Sequence, residues 1–149
     1  AANLLELILG AVGLAVLAVN FIPLPIMQGP WINYAGLVII LAGMVLRFIS
    51  VRTLGKFFTV NLTLHNDHLL ITTGPFRYLR HPSYSGLLLS FVGLGLSLNN
   101  WISLFSLVIP ILIIILKRVD LEEKMLISQF GQEYINYSKK TWKLIPGIM

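Results

Sequence analysis

Residues 4–22 form an almost unbroken apolar run, interrupted only by Glu6 near its start and Asn20 near its end. About 20 such residues are what a helix needs to cross a bilayer. Three more apolar stretches follow, at 31–51, 84–98 and 102–116. With 56% of residues hydrophobic and only 11% charged, the chain has too little polar surface to cover a water-soluble globule. It reads as an all-α integral membrane protein and a single domain.

The boundaries come from local signals. Pro23 and Pro25 stop helix 1 (4–22), which has neither a basic leader nor a small-residue cleavage site and so reads as part of the mature protein. Trp31 and Tyr34 mark one end of helix 2 (31–51), Arg47 and Arg52 the other. A few uncharged residues join these helices, which makes them an antiparallel hairpin. Gly36 and Gly43 fall on one face, suited to close helix approach or equally to scattered membrane glycines. Helices 3 and 4 (82–98 and 102–117) form a second hairpin around Asn99, Asn100 and Trp101, and their apolar arms of about 15 residues are short for a span. Pro110 is expected to kink helix 4.

Between the hairpins lies a polar loop, 52–81. Within it 60–64 and 69–73 are β-prone pieces flanking His65-Asn66-Asp67-His68, which suggests a small surface hairpin. His65 and His68 lack a third ligand at a useful spacing, so they read as a solvated turn and no metal is expected. The absence of cysteine removes disulfides, thiol nucleophiles and thiolate metal sites. In the C-terminal segment 118–146, Leu121, Met125, Leu126, Phe130 and Tyr134 recur at helical spacing, as in an amphipathic helix leaving the bilayer, and Gly131 interrupts it.

The 11 basic residues avoid both short turns. The positive-inside rule therefore places the 52–81 loop, the C-terminal segment and both chain ends in the cytoplasm. That membrane would be the plasma membrane of a prokaryote or the endoplasmic reticulum of a eukaryote. Two glycosylation sequons, at Asn61 and Asn136, then fall on the side where that modification does not occur.

Chemistry concentrates in residues 74–86, GPFRYLRHPSYSG. Pro82 suits a first helical turn, which sets His81 at the helix entrance near anion-binding amides. Arg77 and Arg80 add positive charge, and Ser83 and Tyr84 add hydroxyls. A carboxylate or phosphate ligand fits such a site, although basic residues at span ends also serve as headgroup anchors. Arg118 and Glu122 share a helix face, as ligand contacts or as a surface ion pair, while Glu123 points about 100° away.

The run GPFRYLRHPSYSG, an apolar hairpin, RVDLEE at 118–123 and FGQEYINYSKKTWKLIP at 130–146 occur in the order and separation that resemble the isoprenylcysteine carboxyl methyltransferase family, integral membrane enzymes related to the phospholipid methyltransferases. The resemblance covers about 54–146. It implies S-adenosylmethionine as cofactor, with Gly74, His81, Pro82, Ser83 and Tyr84 lining its pocket and Glu122 as a further contact. Leu89 and the 94–97 segment, from Leu94 to Ser97, match positions that close over the cofactor, although Leu89 is aliphatic where the family can carry an aromatic. Arg118 would face the methyl acceptor, a lipid-like or prenylated molecule or peptide. The residue chemistry agrees: Arg80 and His81 suit the cofactor's carboxylate, Glu122 its diol or ammonium, and carboxyl O-methylation needs positioning more than a general base. Two other readings stand beside this one. A membrane reductase using NADPH would need extra spans to enclose a sterol. A non-enzymatic four-span protein would be expected to carry an ionisable residue in mid-membrane, and Glu6, at a span end, is the nearest candidate.

Overall fold

The computed structural model describes residues 4–57 and 69–149. Five α-helices appear there: α1 (Leu4–Phe21), α2 (Trp31–Leu54), α3 (Pro82–Ser97), α4 (Trp101–Phe130) and α5 (Gln132–Ser138). Short 3-10 turns occupy Gly55–Phe57 and Gly74–Arg77. There is no strand among the described residues, only an isolated parallel bridge between Leu79 and Trp142. Residues 69–73, expected as one arm of a hairpin, are irregular. The other arm and the turn holding His65 and His68 lie outside the described residues.

The chain divides into two units, Ala1–Met44 with Leu87–Ile115, and Val45–Gly86 with Leu116–Met149. All 11 lysines and arginines belong to the second unit. Of the four apolar helices, α2 and α4 are long and apolar enough to cross a membrane, whereas α3 has only 16 residues, about 24 Å of helix.

The first unit is held by small residues and backbone contacts. On α1, Ala11 and Ala15 present almost no side chain, so Leu107 of α4 packs against them and is fully buried, with Phe91, Leu94 and Leu98 around it. The approach is close enough for Ser103 Oγ to donate to the Ala15 carbonyl at 2.7 Å. A similar device joins α2 to α3: a Cβ placed on Gly93 would lie 2.7 Å from the Gly36 carbonyl oxygen. Gly36 is thus a contact point between helices and not a scattered glycine.

Both short turns meet through hydrogen bonds that satisfy backbone groups apolar side chains cannot. Asn99, in the left-handed region at φ +49°, accepts from the amides of Ile26 and Met27 and donates to the Met27 carbonyl. Asn100 donates to the Ile22 carbonyl and accepts from Ser103 N, capping α4. Outside these contacts, Leu37, Val38, Leu41 and Phe48 of α2 are exposed, as suits residues solvated by lipid.

A second element also differs from the reading by sequence. The amphipathic segment after Lys117 is not separate from helix 4, because α4 runs through Pro110 and continues for 30 residues to Phe130. No glycine or proline interrupts 111–130, and the Leu, Glu, Lys and Met content favours helix. Gly131, at φ +56°, ends it.

Gly93→Ala should cost about 1–3 kcal/mol by forcing α2 and α3 apart, while Gly10→Ala, which has open space for a Cβ, should cost nothing. Thermal unfolding of the two variants in detergent measures the difference.

Candidate functional site

The second unit holds every lysine and arginine and every acidic residue but Glu6. Its organising backbone feature is the pairing of 78–81 with the tail: Trp142 N donates to Tyr78 O at 2.9 Å, Arg80 N to Trp142 O at 2.8 Å and His81 N to Lys143 O at 3.3 Å. Pro82 then starts α3, leaving His81 as its N-terminal flank with its carbonyl accepting from the amides of Tyr84 and Ser85. Ser85 Oγ closes the arrangement by donating to Leu144 O at 2.6 Å.

This route carries the His81 ring into the protein, where it is 4% exposed between two carboxylates. Nε2 lies 3.4 Å from Glu123 Oε1, and Nδ1 lies 3.7 Å from Glu122 Oε2. Arg80 Nε donates to the same Glu123 oxygen at 2.8 Å. Its Nη1 donates to the carbonyls of Ser138 and Thr141, both at 2.7 Å. Arg80 therefore commits three of its five N–H donors to the protein's own acceptors. Arg77, by contrast, is exposed and stacks over Tyr78.

Two tyrosines of α5 complete the cluster. The Tyr134 hydroxyl approaches Glu123 Oε1 at 3.3 Å, and the Tyr137 hydroxyl donates to Phe76 O at 2.6 Å. Burial, reinforced by the Glu123 charge, pushes the Tyr134 phenol well above its ordinary range. Burial pushes Tyr137 up to about 12. Both remain protonated donors at neutral pH. Lys143 bridges Asp120 at 2.8 Å and Glu123 at 3.5 Å, and the Asp120 hydrogen bond holds its ammonium above the usual lysine range.

The other candidates from the sequence are divided between the two units. The Tyr84 ring centre is 6.1 Å from that of His81, and its hydroxyl interacts with Glu122 within the field of Arg118. Ser83 accepts from Arg47 Nη1 through Oγ at 3.2 Å and through its carbonyl at 3.3 Å. Gly74 sits at φ +58°, a conformation that favours glycine, beside Thr53. Leu89, Leu94 and Ser97 belong to the first unit, where Leu94 packs on the α1 and α4 cluster and Ser97 Oγ donates to Leu94 O.

Glu122 Oε2 is buried, and among the described residues no group donates a hydrogen bond to it. Such an acceptor is costly unless a donor reaches it. Glu123, Arg47, Tyr134, Tyr137 and Lys143 escaped the sequence reading as site residues. The lone signal was the Glu-Glu pair, since the contact of Arg80 with Glu123 spans 43 positions.

Comparison with known proteins shows what the chain is similar to. The phospholipid methyltransferase family profile matches residues 31–133. The probable protein-S-isoprenylcysteine O-methyltransferase of Oryza sativa subsp. indica is 37% identical over 120 residues, covering 79% of this chain and 63% of that protein. The protein-S-isoprenylcysteine O-methyltransferase of Saccharomyces cerevisiae is 35% identical, covering 76% of this chain and 48% of its own. A solved eukaryotic intramembrane Ras methyltransferase, isoprenylcysteine carboxyl methyltransferase, superposes with a TM-score of 0.81 at 28% identity over 95% of this chain and 51% of that one. The chain belongs to the phospholipid methyltransferase family, and within it is similar to the isoprenylcysteine carboxyl methyltransferases. It spans from just under half to just under two thirds of the length of these relatives.

Arg80→Ala strands a largely buried Glu123 carboxylate and should destabilise the protein by about 3 kcal/mol. Arg77→Ala should stay within about 0.5 kcal/mol of the parent. Melting temperatures of the two variants in detergent make the comparison.

Proposed function

We propose that the chain binds S-adenosylmethionine at the His81 and Glu122 site and methylates the carboxyl group of a lipid-like or prenylated acceptor at the cytoplasmic membrane face. The observation that carries this reading is the buried, unsatisfied Glu122 Oε2 facing His81 Nδ1. An acceptor of this kind fits the ribose hydroxyls or the ammonium of such a cofactor. When bound, the cofactor supplies an electrophilic methyl group on a sulfonium.

The residues' work is then binding and orientation. Glu122 and His81 hold the cofactor, with Gly74, Pro82, Ser83 and Tyr84 forming the turn and first helical residues beside them. Arg118, one turn before Glu122 on α4, holds the acceptor carboxylate, to which a guanidinium can donate two parallel hydrogen bonds. A carboxylate nucleophile needs no base, so rate depends on alignment. Arg80 reads better as an internal clamp than as a cofactor contact, because its donors are taken by Glu123, Ser138 and Thr141. Confinement of every lysine and arginine to the second unit supports a cytoplasmic location for that unit. The acceptor names carried by the relatives support a prenylated substrate.

His81→Ala and Glu122→Gln should each weaken S-adenosylhomocysteine binding by about 1–3 kcal/mol without loss of fold, as read by calorimetry and melting in detergent. Tight binding of NADPH with none of S-adenosylhomocysteine would instead make the protein a reductase. Arg118→Ala should raise the KM for a small prenylated-cysteine acceptor and leave S-adenosylhomocysteine affinity unchanged; parallel losses of both would remove Arg118 from the acceptor site.

A further inference from the structure

Glu122 and Glu123 are adjacent, yet their surroundings are unlike. Glu123 Oε1 faces Arg80 Nε at 2.8 Å, the Tyr134 hydroxyl at 3.3 Å and His81 Nε2 at 3.4 Å, while its Oε2 faces Lys143 Nζ at 3.5 Å. Three donors thus converge on Oε1, which offers two lone-pair sites, and a fourth group lies near Oε2, so Oε1 has no room for a ligand donor. Its side chain is 18% exposed, against 34% for Glu122. Glu122 keeps one buried oxygen to which nothing donates among the described residues.

An ionised carboxylate only accepts, and although burial opposes it, the contacts with His81 and Arg80 keep Glu123 ionised. His81 must therefore carry its proton on Nε2 to make the contact, and this aims Nδ1 at Glu122. We infer that Glu123 is a positioning residue that acts on the cofactor site through His81, setting its tautomer and ring orientation, while Glu122 alone of the two acids meets the ligand. Arg80 extends the device to the tail, since the guanidinium on Glu123 also holds the carbonyls of Ser138 and Thr141. This inference rests on the reading of His81 and Glu122 as cofactor contacts.

The test is a double-mutant cycle on the full chain in detergent, with S-adenosylhomocysteine as the probe. Glu123→Ala should weaken binding at least about tenfold in the parent, but less than about twofold when added to His81→Ala, because its effect is routed through the missing ring. A full further loss in the double variant would show a direct contact or a general structural role, and would overturn the inference. Glu123→Gln, which keeps an acceptor oxygen, should recover most of the affinity lost in Glu123→Ala. It also serves if the alanine variant fails to fold: a tenfold loss in Glu123→Gln with the His81 ring unaltered would likewise overturn the inference. A ligand-free readout separates this from the cofactor reading. The imidazole 15N signals of His81, identified by their loss in His81→Asn, should report an Nε2–H tautomer in the parent and an averaged one in Glu123→Ala. If the parent binds no S-adenosylhomocysteine, the cofactor reading falls and these signals decide alone, with unchanged signals in Glu123→Ala refuting the positioning role.

Discussion

One carboxylate oxygen, Glu123 Oε1, is the point at which the second unit's separate pieces meet. Arg80 and His81 reach it from the approach to α3, Tyr134 reaches it from α5, and the oxygen itself belongs to α4. Burying a guanidinium and a carboxylate carries a large desolvation cost, which is offset only when nearly every proton and lone pair finds a partner. Here the pairing extends to Ser138, Thr141 and Lys143. Because the parts are so coupled, the orientation of His81 follows from contacts made far along the chain.

The first unit works by the opposite physics. It contains no lysine or arginine, and its helices approach through Ala11, Ala15, Gly36 and Gly93, where dispersion and backbone contact replace charge. In lipid there is no hydrophobic gain in hiding one apolar helix against another, so close packing of small residues and a few hydrogen bonds must hold it. The bonds made by Asn99 and Asn100 serve that need at the turns, where the backbone would otherwise be left unsatisfied.

The two neighbouring acids show how one motif can divide its tasks. A helix separates consecutive side chains by about 100°, enough to turn Glu123 towards internal donors and Glu122 towards His81 Nδ1 and Tyr84. The proposed methyl transfer to a carboxylate asks mainly for fixed geometry. The donor-rich network behind the proposed binding residues is a way to provide it.

The apolar runs, the proline and tryptophan boundaries and the segregation of charge were enough to establish a helical membrane protein, because hydropathy over about 20 residues is a local property. The motifs around His81 and Glu122 likewise established the family. Sequence periodicity could not say that α4 continues past Lys117 to Phe130, since a change in polarity along a helix is not a break in its backbone. Nor could it show that residues 69–73 are irregular, where β propensity had no partner strand to realise it among the described residues. Arg77 and Arg80 look alike in the sequence, and only the tertiary structure made one an exposed residue stacked on Tyr78 and the other a partly buried clamp. Its partners lie 43 to 61 positions away, a separation that no local pattern records and that folding alone brings within hydrogen-bond distance.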